Sequence, residues 1–356
     1  MTLLTWKDLL LLPLFAAVMY RLRVRRRGFY NDYLSKDSTG ALKGVLCVVI
    51  FFHHFAGFFE SFDIIYYILV HSGFLAVALF FFISGYGLAV SAKSKQGYVE
   101  TFLPRRLLRV LVPYWVCLLL YTLASLAFNL YTKSPVNLKN FLLSLAGAGE
   151  IAENSWFVPA IVFLYVLFWL CIRFFKRKTA LLLMLGVMAA LSAVFITTGK
   201  MTVWSSSFFG FYVGVLWGFY IEKLEAFFRR RFHPKWLLAV LATSLFLGIK
   251  ILSNRAGLLW GEHLAELFSS AMFCVVCALT LFKVKIGNGV LTFLGVISFE
   301  IYLLHGLFIQ VARVWFGTGR PVAFGATALL TTIAAAWLVS LLTQKVIFAR
   351  SDRAGK

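Results

Sequence analysis

Ten stretches of about twenty predominantly apolar residues follow one another along the chain. They lie at roughly 42–60, 70–91, 107–129, 156–172, 179–197, 204–221, 236–253, 264–282, 288–311 and 322–344. A helix rises about 1.5 Å per residue, so each stretch is long enough to cross the hydrocarbon core of a bilayer. Lipid offers no partner to backbone N–H and C=O groups, and a chain built from such segments must pair them internally as helices. The expected fold is therefore all-α, a polytopic transmembrane helix bundle with ten core spans. An eleventh stretch, 3–20, contains Pro13 and either spans the membrane or lies along its surface as an interfacial helix. The gaps between stretches are too short to bury a soluble core, and no internal repeat is evident.

Composition agrees with this class. Of 356 residues, 61% are hydrophobic and 14% charged, where soluble domains average about a quarter charged. The net charge of +21 invites a nucleic-acid partner, but the basic residues form short clusters between apolar segments, so the expected partner is the lipid bilayer and not nucleic acid. Of the 35 Lys and Arg, 27 lie in loops at 21–43, 93–109, 173–178, 222–236, 283–287 and 345–356, and only seven in the intervening set. The positive-inside rule places the basic loops in the cytoplasm, with both ends of the core cytoplasmic, and the expected location is the plasma (inner) membrane. Residues 1–37 then form an N-terminal apolar segment and a basic stretch, 38–346 the transmembrane domain, and 347–356 a cytoplasmic tail. No small-residue cleavage site follows the first apolar stretch, which reads as uncleaved. The opposite face is richer in carboxylates, with Glu60, Asp63, Glu150, Glu153 and Glu262 near outer ends of spans. Five cysteines lie in or beside apolar runs without a histidine at ligand spacing, and neither a disulfide framework nor a metal site is expected.

Polar residues inside apolar spans are expensive and mark function by default. His53 and His54 sit within the first core span. His54 stands eleven residues beyond Lys43, about 16 Å along a helix, near the bilayer midplane. His53 points about 100° away on the same helix, so the two cannot both face one small cavity squarely, and one of them serves as a packing or hydrogen-bonding neighbour. Ser84 and Gly85 in the second span either present a hydroxyl or serve as helix-packing contacts. Arg106 and Arg109 share a helical face, where guanidinium groups grip phosphates or merely fix topology. Ser298, Tyr302 and His305 share a face of the ninth span, with Glu300 between them.

Four blocks in order resemble the acyltransferase family 3, integral-membrane enzymes that move acyl groups from acyl-CoA to hydroxyls. Lys43-Gly44 followed by His54 is similar to that family's basic residue plus eleven to histidine. Phe80-Phe81-x-x-Ser84-Gly85 resembles its FFxxSG signature, and Arg106-x-x-Arg109 ahead of Pro113 its RxxR element. Residues 298–305 are similar to its late SxxxYLxH helix. The resemblance covers residues 38–346. In two places the chain departs from it. Lys43 stands where many members carry arginine, and Trp156-Phe157-Val158-Pro159 resembles a WFL-type branch, with Ile161 and Phe163 where the glycan-modifying branch has a carboxylate and a glutamine.

The resemblance implies acyl-CoA as donor substrate, entering from the cytoplasm with its phosphates near Lys43, Arg105, Arg106 and Arg109. It implies His54 as general base, with Ser84, Tyr302 and His305 orienting the imidazole or stabilising an oxyanion, and no metal. The expected reaction is O-acylation, acetylation first, of an envelope glycan or glycolipid bound near Glu60, Glu150, Glu153, Trp156 and Glu300. Direct transfer is expected, since no serine or cysteine is paired with His54. The alternative is a proton-coupled transporter or exporter of an envelope precursor, whose signs are inverted repeats and broken helices in corresponding halves.

Overall fold

The structure, a computed structural model, describes residues 5–59, 63–71, 73–149, 151–152, 154–199 and 202–353. The first half comprises α1 (Trp6–Met19), α2 (Lys36–Ala56), α3 (Ile64–His71), α4 (Gly73–Ser94), α5 (Tyr98–Phe128), α6 (Leu138–Leu145), α7 (Phe157–Phe174) and α8 (Arg177–Thr198). The second comprises α9 (Thr202–Ser207), α10 (Phe209–Phe219), α11 (Ile221–Arg229), α12 (Phe232–Arg255), α13 (Leu259–Lys283), α14 (Gly289–Val296), α15 (Ser298–Phe316) and α16 (Pro321–Arg353). Two short strands, β1 (Arg23–Val24) and β2 (Val284–Lys285), pair antiparallel.

Among the described residues, nine helices are long and apolar enough to cross a membrane: α2, α4, α5, α7, α8, α12, α13, α15 and α16. The chain is a polytopic helical membrane protein. Its lipid-facing surface is visible on α12, where Leu238, Leu241, Leu245 and Leu252 form one exposed apolar stripe at helical spacing.

Two expected spans are interrupted. The stretch 204–221 divides into α9 and α10, and at the end of α9 Ser207 Oγ donates across to Phe74 O of α4 at 3.1 Å. The stretch 288–311 divides at Ile297 into α14 and α15, with Ser298 Oγ donating to Gly295 O at 2.9 Å. The domain boundary expected at 346 falls inside α16, which continues to Arg353.

The N-terminal helix packs along the bundle. Lys7, at its start, pairs with Asp63, whereas the carbonyls of Ala17 and Tyr20, past its middle, accept from Asn288 Nδ2 at 2.7 and 3.1 Å. At 14 residues, α1 is shorter than the helices long and apolar enough to span.

Loops expected on a common face do gather at one end. Arg23 pairs with Lys285 across the strands, Lys93 Nζ contacts both Glu222 oxygens at 2.6 and 2.7 Å, and Arg229 reaches Asn31 at 3.0 Å. Lys285 donates to Asp32 and holds its carboxyl below the usual carboxylate range. Such exposed pairs contribute about 0–1 kcal/mol each, so they record proximity more than they stabilise.

Close packing comes from glycine. A Cβ at Gly85 would collide with the carbonyl of Phe211, at Gly210 with that of Ala78, and at Gly214 with that of Phe82. Helices α4 and α10 therefore meet backbone to backbone. The same holds between α2 and α14, where Gly44 faces Leu291 O and Gly295 faces Gly40 O. In lipid, where apolar side chains gain little by meeting each other, close approach of this kind is a principal source of helix association.

Candidate active site

Among the described residues, two neighbouring cavities in the bundle frame the site. The larger, about 810 Å³, begins at the basic end among Lys36, Lys43, Arg106 and Arg109, and reaches inward to Ser84, Phe157, Tyr165, Glu300 and Tyr302. The smaller, about 390 Å³, is lined by His53, His54, Asn154, Trp156, Lys250, His263 and Glu266. Val77 and Tyr302 belong to both walls. Helix α2 threads both, delivering Lys43 to the larger cavity and His54, three turns further on, to the smaller.

His54 is held between two other imidazoles, edge-to-face with His53 and tilted against His305. Its ring centroid is 4.7 Å from that of His53 and 4.8 Å from that of His305. Both nitrogens of His305 are occupied. Nδ1 lies 2.6 Å from the Tyr302 carbonyl, so it carries the proton and donates, and Nε2 then accepts from Asn154 Nδ2 at 3.3 Å. His305 is thereby a fixed neutral ring, a support for His54 and not a free base. Asn154 is doubly engaged, since its carbonyl also accepts from the Tyr302 hydroxyl at 3.1 Å. His53 Nδ1 donates to Leu69 O at 3.0 Å. Among the described residues, that leaves His54 as the member of the trio with no such anchoring bond from its ring to the backbone.

In the larger cavity, the Ser84 and Tyr165 hydroxyls lie 2.8 Å apart. One proton bridges the pair, and the second is free to be offered to a guest. Glu300 is buried on the same wall as Lys43, within the reach of its charge.

The expected site residues divide accordingly. Lys43, Ser84, Arg106, Arg109, Glu300 and Tyr302 line the larger cavity. His54, Trp156 and Tyr302 line the smaller, and His53 joins them, although the 100° offset on α2 had implied that the pair would not both face one cavity. His305 is buried behind His54. Arg105 is exposed and lies on neither wall. Glu300 is on the donor-side wall with Lys43, apart from Trp156 with which it had been grouped. Glu60, Glu150 and Glu153 lie outside the described residues. Cys274 and Cys277 stand three residues apart on α13, a C-x-x-C spacing inside an apolar helix, and both are free thiols.

Sequence reasoning missed Asn154, Tyr165, Lys250, His263 and Glu266. Lys250 and Glu266 carry a legible signal, being charges inside long apolar helices. Asn154 does not, because its role depends on a left-handed backbone turn (φ 63°) that only the fold imposes.

A family model described as an acyltransferase domain, that of acyltransferase family 3, matches residues 38–341. The chain belongs to this family. It is a membrane-embedded acyltransferase, and both cavities of the acyltransferase lie within the matched segment apart from Leu34 and Lys36 at one mouth and Thr343 and Gln344 on α16. No curated protein and no solved structure matched the chain. The acyltransferase also gives the glycine of its FFxxSG-like block a physical role: Gly85 is the point where α4 touches the α10 backbone, while Ser84 beside it faces the cavity.

Proposed function

We propose that this acyltransferase moves an acyl group, acetyl first, from acyl-CoA to a hydroxyl of a cell-envelope glycan or glycolipid, with His54 as general base. The observation that carries the reading is the pair of cavities meeting at Tyr302 and Val77, the larger one basic at its mouth and the smaller one holding His54. Acyl-CoA enters the larger cavity from the cytoplasmic face, with its phosphates on Arg106 and Arg109 and its thioester near Ser84 and Tyr165. Guanidinium forks suit phosphate oxygens, and the cavity volume is within the range of small-molecule and cofactor sites. The acceptor enters the smaller cavity from the opposite face of the plasma membrane.

The acceptor oxygen attacks the thioester carbonyl carbon as its proton passes to the His54 imidazole. The tetrahedral oxyanion takes the spare hydroxyl proton of the Ser84–Tyr165 pair as a hydrogen-bond donor. Collapse forms the ester C–O bond and breaks the C–S bond, and the imidazolium returns its proton to the departing CoA thiolate. No covalent acyl-enzyme is required.

A proton-coupled carrier fits less well. Its inverted repeats would place broken helices at matching positions of the two halves, whereas both interrupted spans here, α9–α10 and α14–α15, fall in the second half.

Purified protein reconstituted in nanodiscs, given radiolabelled acetyl-CoA and an envelope extract, is expected to label the acceptor fraction. Substrate-driven ion flux without acyl-CoA would support the carrier instead. Arg106→Ala together with Arg109→Ala is expected to raise the KM for acetyl-CoA at least about tenfold, as losing charge-assisted phosphate contacts of about 1.5–3 kcal/mol each implies, with the acceptor KM nearly unchanged. An unchanged donor KM would return the two arginines to a purely topological role.

A further inference from the structure

We infer that the smaller chamber is a binding subsite for the ring of a neutral sugar, gripped by Lys250, His263 and Glu266 and stacked on Trp156. This rests on the acyltransfer reading above and narrows its acceptor. Lys250 on α12 and Glu266 on α13 meet in a largely buried ion pair, Nζ to Oε1 2.6 Å, with side chains 18% and 14% exposed. Holding two apolar helices together does not need charge, and replacing a buried pair with apolar residues is often neutral or stabilising. A pair placed on a cavity wall instead presents hydrogen-bonding capacity to whatever occupies the cavity.

That capacity is not exhausted internally. Glu266 Oε2 stands 3.5 Å from His263 Nδ1, at the limit of hydrogen-bond range, and this buried ring nitrogen has no hydrogen-bond partner. Buried polar groups are nearly always partnered, so the imidazole is poised to complete its bonding with a guest. Lys250 donates, Glu266 accepts and His263 does either, which matches vicinal hydroxyls that each donate and accept. Trp156 supplies a flat apolar face on the same wall, complementary to the C–H face of a pyranose.

Charge decides against an anionic guest. Among the described residues lining this chamber, Lys250 is the one permanent cation, and Glu266 compensates it while Glu262 adds a further carboxylate. A phosphorylated or carboxylated sugar would meet net negative charge. The size of the chamber, about 390 Å³, admits one or two sugar rings.

The test uses the full chain in nanodiscs with radiolabelled acetyl-CoA and three probes: methyl β-D-glucopyranoside, glucose 6-phosphate and glycerol. The wild type is expected to acetylate the glucoside in preference to the other two. Lys250→Met and Glu266→Gln are each expected to raise the KM for the glucoside at least tenfold, with the KM for acetyl-CoA within twofold. An unchanged glucoside KM overturns the subsite, as does a wild-type preference for glucose 6-phosphate or a wild type that acetylates no probe. Retained acetyl-CoA binding shows that a variant is folded, and Glu266→Asp, which keeps the charge but withdraws the carboxylate, provides a milder variant expected to raise the same KM. The broader reading fails separately, if His54→Ala still transfers acetyl.

Discussion

Replacing His54 with alanine is expected to lower kcat for acyl transfer by about 10²–10⁴-fold, the usual contribution of a positioned base, while the Kd for acetyl-CoA stays within about twofold. The two effects separate because α2 places Lys43 in the larger cavity and His54 in the smaller. The donor arginines sit on α5, a different helix. His305→Ala is expected to be milder than His54→Ala, since both nitrogens of that ring are committed to Tyr302 and Asn154 and none is left to take a proton. Equal losses in the two variants would mean that the pair acts as a unit, and full activity in His54→Ala would remove the proposed base.

The second large effect concerns folding. Gly295→Val and Gly214→Val are each expected to destabilise the bundle by at least about 3 kcal/mol, the upper end of ordinary overpacking, and to abolish a monodisperse peak on size-exclusion chromatography. Added Cβ atoms there would press on backbone, Gly40 in the first case and Phe82 with Tyr86 in the second, and backbone cannot rotate away as a side chain does. Gly87→Ala and Gly248→Ala, which have open space at the same position, are expected to fold and elute as wild type. Normal folding of Gly295→Val would show that α2 and α14 tolerate separation, and with it that the register of Lys43 and His54 is not set by that contact.

The spans were legible because lipid removes alternatives. A run of twenty apolar residues has one cheap solution, and the loop charges predicted which loops share an end. Where the reading failed, the apolar count ran through an interruption it could not register. Through Ser206 and Ser207 it suggested one span, yet the helix divides after Ser207, whose hydroxyl bonds across to α4, and again at Ile297, beside Ser298. In the site, residues carried by helical spacing were found: Lys43 and His54 on α2, Ser298, Tyr302 and His305 on α15. Residues whose position depends on which helices become neighbours were not. Tyr165 matters because α7 passes α4 at Ser84, and Asn154 because a left-handed turn brings it to His305. Arg105 was grouped with Arg106 and Arg109 by adjacency alone, and helical geometry turns it away from them.

The central claim is that donor and acceptor enter from opposite ends and meet beside His54. It is tested most directly in proteoliposomes of known orientation, with membrane-impermeant radiolabelled acetyl-CoA supplied only at the face bearing Arg106 and Arg109 and the acceptor only at the other. The account predicts labelled acceptor on the far side, lost in His54→Ala. Labelling that occurs only when both substrates are supplied at the same face would contradict it.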